Sequence, residues 1–105
     1  MAFARLAFFP DGTAEQYAAL AAEVGEGIVA PPERLLFAAG PVPGGWQVVQ
    51  VWTSAEALEA FNAAVLRPAL TRLGGRGFPA VPHVVDFEPT DLSLPGTAAG
   101  ETRRG

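Results

Sequence analysis

Residues 44–61, GGWQVVQVWTSAEALEAF, decide how the rest of the chain is read. Gly44-Gly45 closes a turn. From residue 46 to 53 the side chains alternate, with Gln47, Val49 and Val51 on one side and Trp46, Val48, Gln50 and Trp52 on the other. That period of two marks a strand. Ser54 then stands as an N-cap, with Glu56 in the first helical turn favouring the dipole, and Thr53 with Glu56 offers an alternative capping box. The segment is therefore turn, strand, cap and helix. Its two tryptophans either pack or line a site.

Working upstream, PVPGG over residues 41–45 joins a strand at 35–40 to the strand at 46–53 as a hairpin. Residues 2–9 form a first strand. Phe3, Arg5, Ala7 and Phe9 point one way and Ala4, Leu6 and Phe8 the other, and Arg5 is its only polar residue. A strand apolar on both faces belongs in the middle of a sheet. Pro10, Asp11 and Gly12 turn the chain. Thr13 and Gln16 then make a capping box, and Tyr17, Leu20, Ala21 and Val24 recur at helical spacing until Gly25 and Gly27 stop the helix. Residues 28–33, with Pro31 and Pro32, are a loop.

Downstream, Leu58, Phe61, Val65, Ala69 and Leu73 lie along one stripe of a second helix that ends at Gly74-Gly75. Pro68 either kinks it or opens a second short helix. Residues 80–87 form a fourth strand, with Val81, His83, Val85 and Phe87 on one face and Val84, Asp86 and Glu88 on the other. Pro82 argues for a sheet edge, or for a strand that starts at His83. Residues 1–93 make one domain, and residues 94–105 read as a mobile tail without apolar anchors.

The order β-α-β-β-α-β, with two right-handed crossovers around a central hairpin, predicts an α+β fold. It is a four-stranded antiparallel sheet with both helices on one face, the ferredoxin-like plan. The helices cover one sheet face and leave a second apolar face bare. A homodimer packed sheet to sheet is the expected solution.

Composition narrows the function. Of 105 residues, 50% are hydrophobic and 17% charged, a folding composition rather than a disordered one. Net charge is −4, and the only adjacent basic pair is Arg103-Arg104, so no cationic face for nucleic acid is expected. There is no cysteine for disulfides, thiolate catalysis or zinc ribbons. No apolar run approaches the ~20 residues of a membrane span, and the first twelve residues are too short for a secretory signal, so the cytoplasm is the expected location.

At Trp52, Ser54, Glu56, Ala57 and Phe61 the sequence resembles the dimeric α+β barrel superfamily that includes antibiotic-biosynthesis monooxygenases. There a strand ends in W-x-S, an acidic residue and Ala open the next helix, and Phe follows one turn later. GGWQVVQVW also resembles small bacterial members of that superfamily. The resemblance covers residues 2–93. It implies a small apolar cavity in each subunit, bounded by sheet and helices. Members oxidise aromatic polyketides with dioxygen and neither metal nor flavin, degrade haem, isomerise lactones or bind ligands. Of the monooxygenase-type site residues only Trp52 carries over. The asparagine that some members place on the first strand is absent, and the second helix has no histidine to ligate haem iron.

The candidate residues each have two readings. His83, the single histidine, is either structural or a proton acceptor at the cavity wall. With no other ligand spacing in the chain it implies no metal. Arg5 is either ion-paired to Asp86 or Glu88 or clamps a ligand oxygen. Tyr17, the single phenol, is either core or a donor into the cavity. Trp46 reads as packing and Trp52 as core or cavity wall. Gln50 between them needs a hydrogen-bond partner if buried. Phe61 belongs with Trp52 as ligand-contacting, and Asn62 reads as surface. Two functions fit. One is a dimer binding a small apolar or aromatic ligand without turnover. The other is a monooxygenase-like or isomerase-like enzyme without metal, flavin or other cofactor, in which His83 or Tyr17 handles the proton and Arg5 the resulting anion.

Overall fold

A computed structural model describes residues 1–25, 31–93 and 103–104. Strands β1 (Phe3–Pro10), β2 (Arg34–Val42), β3 (Gly45–Trp52) and β4 (His83–Phe87) form one antiparallel sheet in the order β2-β3-β1-β4. Helix α1 (Ala14–Val24) connects β1 to β2, and a helical arm, α2 (Ala55–Phe61) to α3 (Arg67–Leu73), connects β3 to β4. This is the expected ferredoxin-like α+β plan, with β1 central and β4 at an edge. β4 begins at His83 because Pro82 has no N–H to give the ladder. β5 (Asp91–Leu92) and β6 (Arg103–Arg104) pair with each other in a second, two-stranded sheet. Apart from β6, the expected tail at 94–105 lies outside the described residues. Among the described residues no helix is long and apolar enough to cross a membrane.

Local chemistry accounts for the boundaries. Gln16 N–H donates to Thr13 Oγ1 at 3.2 Å and Thr13 N–H to Gln16 Oε1 at 2.9 Å, a complete capping box. Ser54 Oγ accepts from Ala57 N–H at 3.1 Å to open α2. In the β2–β3 hairpin Pro43 leads and Gly44 takes φ 84°, the pairing a tight turn with a left-handed third residue requires. Between α2 and α3 the chain makes one π-helical turn, Asn62–Leu66, in which Arg67 N–H donates to Asn62 O. Pro68 sits in the first turn of α3 and lacks the N–H an uninterrupted α-helix would need there. The widened turn precedes that break, and Pro68 opens the short helix α3, one of the two outcomes the sequence allows.

The register sorts the side chains into two faces. Asp86–Arg5–Gln50–Phe37 and Val84–Ala7–Val48–Ala39 are two cross-sheet rows on the helix side. Both helical arms pack there: Tyr17 of α1 stacks on Trp46 at 5.1 Å between ring centroids, and Phe61 of α2 meets Trp52 at 5.3 Å. Trp52 and Leu58 are the most deeply buried large side chains. The opposite face carries the rows Phe87–Ala4–Val51–Leu36, Val85–Leu6–Val49–Ala38 and His83–Phe8–Gln47–Gly40. Val85 and Phe87 stand 61% and 50% exposed on it, while Ala4 and Val51, in the Phe87 row, are buried, so the apolar exposure of this face is concentrated along β4.

Candidate functional site

A cavity of about 170 Å³ lies between the helix side of the sheet and the helices. Its floor is Arg5, Ala7, Val48, Gln50, Phe37 and Val84. The α1 face that reads as amphipathic in the sequence supplies Tyr17, Leu20, Ala21 and Val24, and the helical arm supplies Phe61, Asn62 and Leu66. Phe9 and Phe78, stacked at 4.3 Å between ring centroids, also line it. Most of the wall is therefore aliphatic or aromatic, and Arg5, Tyr17, Arg34, Gln50 and Asn62 bring polar groups to it.

Four of the six residues singled out in the sequence meet at this wall: Arg5, Tyr17, Gln50 and Phe61. Arg5 is an ion pair. Its Nε and Nη2 donate to the two carboxylate oxygens of Asp86 at 2.8 and 3.0 Å, so Asp86 rather than Glu88 is the partner. That hydrogen bonding holds the guanidinium above its ordinary range against the opposing pull of burial. Gln50 Oε1 accepts from Trp52 Nε1 at 2.8 Å, which satisfies the indole and fixes the amide at the cavity floor. Trp52 itself is 1% exposed and stands behind the wall, as core. Trp46 is core as well, and its buried Nε1 has no hydrogen-bond partner among the described residues.

His83 is not at the cavity. It sits on the other sheet face, exposed, with its ring 6.0 Å from that of Phe8. The reason is strand alternation: Asp86 faces the helices to meet Arg5, so His83, three residues away, faces the opposite side.

Two wall residues escape a reading of the sequence. Asn62 enters because the π-turn adds a residue to the helical period and brings 61, 62 and 66 to the cavity where a regular helix would continue from 61 to 65. Arg34 enters through a break in β2. It pairs with Trp52 and Leu36 with Val51, so the register slips at Leu35. Regular alternation would send Arg34 and Phe37 to opposite faces. The bulge puts them on one, with the guanidinium carbon 4.5 Å from the centre of the Phe37 ring, 5.7 Å from Phe61 and 5.9 Å from Trp52. Burial pulls the Arg34 guanidinium below its ordinary range, and Tyr17 partly offsets this. Burial raises the Tyr17 phenol, which the Arg34 charge opposes, so the hydroxyl is a donor at neutral pH. Among the described residues no group of three or more His, Asp or Glu is placed to hold a metal ion.

Neither a scan of protein-family models nor a search of curated proteins gave a match. Solved structures do match. A Caulobacter crescentus protein assigned as an antibiotic biosynthesis monooxygenase aligns with a TM-score of 0.67 at 14% identity, over 84% of this chain and 89% of that one. A cofactor-independent oxygenase from Streptomyces nogalater aligns at 0.60 and 18% identity, over 90% and 96%. A Streptomyces coelicolor monooxygenase in complex with the ligand nanaomycin D aligns at 0.53 and 28% identity, over 90% and 91%. The fold is that of antibiotic-biosynthesis-monooxygenase-like proteins, at distant identity, as the W-x-S motif implies.

Proposed function

We propose that the protein is a homodimeric ligand-binding α+β barrel whose cavity takes a small aromatic molecule without turning it over. The observation that carries this is an aromatic-walled cavity of about 170 Å³ onto which Arg5, Tyr17, Arg34, Gln50 and Asn62 all converge. Sites for small molecules combine apolar walls with a few placed polar groups in this way. A cavity of about 150 Å³ accommodates benzene, so the enclosed part here suits one ring, with a second reaching toward the mouth. Dimerisation is inferred from this second sheet face, where Val85 and Phe87 stand exposed in two apolar rows that a second copy would cover by packing face to face.

The second reading is a cofactor-independent monooxygenase-like or isomerase-like enzyme, and what favours it is the likeness in fold to the Streptomyces oxygenase and monooxygenase. The cavity chemistry weighs against it. His83 faces away, and the remaining candidate proton acceptor, Tyr17, is held protonated by burial.

Both readings are separated by one experiment on the full chain. Quenching of tryptophan fluorescence by 2-naphthol is expected to saturate, because Trp46 and Trp52 each touch a cavity-lining ring. Leu66→Trp, which fills the cavity, is expected to abolish it. Absence of saturable quenching, or quenching that survives Leu66→Trp, rules out the cavity as the site. Dioxygen uptake with 2-naphthol above the protein-free rate would favour the enzyme.

A further inference from the structure

We propose that the ligand is an aromatic carboxylate, and that Arg34 reads its carboxylate with the Tyr17 hydroxyl beside it. This assignment rests on the cavity being the ligand site proposed above. Five observations lead to it.

First, two guanidinium groups reach the cavity and they are not equivalent. Arg5 spends Nε and Nη2 on Asp86, so an anion approaching it meets a carboxylate at the same place. Arg34 lies among the rings of Phe37, Phe61 and Trp52. A guanidinium has five donors in a planar fork, so it can hold a ligand carboxylate alongside partners within the protein. Second, Arg34 is at the cavity only because β2 slips register at Leu35. Bulges re-aim side chains in this way, and without this one the charge would sit on the opposite face. Third, Phe37 and Phe61, which contact the guanidinium, also line the cavity, so an aromatic ring entering beside them carries its substituent to Arg34. Fourth, the Tyr17 hydroxyl is a second donor on the same cavity, and a carboxylate has an oxygen for each. Fifth, the chain is acidic, with net charge −4, so its overall field does not favour anions and any preference for one must arise locally.

A pair of ligands of equal size decides it. 2-Naphthoate and 2-naphthamide differ in charge and little else. Calorimetric titration of the full chain at pH 7.5 is expected to show the acid binding at least about tenfold tighter, the gain of one charge-assisted contact. Arg34→Met is expected to bring the two within about threefold of each other. Arg34→Lys, which keeps the charge and loses the fork, is expected to retain part of the preference. Equal binding of the two by the unaltered protein overturns the carboxylate assignment while the cavity stands. So does a full preference that persists in Arg34→Met. Binding of neither, together with no quenching by 2-naphthol, overturns the cavity as well. If Arg34→Met does not fold, the comparison on the unaltered protein still decides.

Discussion

Arg5 and Asp86 lie directly opposite one another on neighbouring strands and are joined by two hydrogen bonds, at 2.8 and 3.0 Å. The pair ties the edge strand β4, exposed along its whole length, to the central strand by a bidentate contact. Both side chains retain some solvent contact, which limits the gain. Asp86→Asn is expected to destabilise the protein by about 1 kcal/mol, seen as a fall of a few degrees in the thermal midpoint. A loss that vanishes in 1 M salt fits an ion pair. No loss at low salt would mean that backbone pairing alone holds β4.

The start of β3 approaches β1 closely enough to exclude any side chain. A Cβ placed on Gly45 would lie 2.2 Å from Phe9 O. The obstacle is backbone, which cannot swing aside as a side-chain tip can. Gly45→Ala is expected to cost about 3 kcal/mol or more, measured by urea unfolding. Gly75→Ala is the control: nothing lies within 4 Å of its Cβ position and its φ is ordinary, so its midpoint should hardly move. Similar costs for the two would contradict the packing described for β1 and β3.

Much of this fold is legible in the sequence because alternation and capping are local. Thr13 with Gln16 and Ser54 with Ala57 fix helix starts through contacts three residues apart. The amphipathic stripe of α1 maps wholly onto the cavity. What is not legible arises where the period breaks. Arg34 depends on a bulge at Leu35, and a strand read at strict period two gives it the wrong face. Asn62 depends on a π-turn, and a helix read at 3.6 residues leaves it on the surface. His83 was separable in principle. Once Asp86 is chosen as the partner of Arg5, alternation already places the histidine on the far side of the sheet.

The apolar side of β4 provides a prediction about assembly. Val85 and Phe87 are 61% and 50% exposed and sit in rows with Leu6, Ala4, Val49 and Val51. Phe87→Glu would put a charge into the proposed sheet-to-sheet interface, where burying it without a partner is costly. Sedimentation of the unaltered chain should give twice 10.9 kDa at micromolar concentration. Phe87→Glu should give a folded monomer. Leu70→Glu, an exposed position on α3, should leave the dimer intact. A monomeric unaltered chain would remove the barrel.

Acid stability is expected to depend on the contact between the two helical arms. Glu23 at the end of α1 accepts from Arg72 Nε at 3.0 Å and Arg76 Nη2 at 3.3 Å, while Arg72 Nη2 also donates to Glu23 O at 2.9 Å. Hydrogen bonding from Arg72, with Arg76 adding to it, holds the Glu23 carboxyl below its ordinary value of 4.5. A carboxyl depressed in the folded state binds its proton more weakly there than in the unfolded chain. Its contribution is therefore complete above pH 4.5 and is lost as the pH falls through the lower folded value. Glu23→Gln keeps the shape and the backbone contact but cannot titrate. The gap in thermal midpoint between the unaltered chain and Glu23→Gln should be constant from pH 6 to 8, narrow below pH 4.5 and close in stronger acid. A gap that does not change with pH would assign the carboxyl no ionic role in joining α1 to α3.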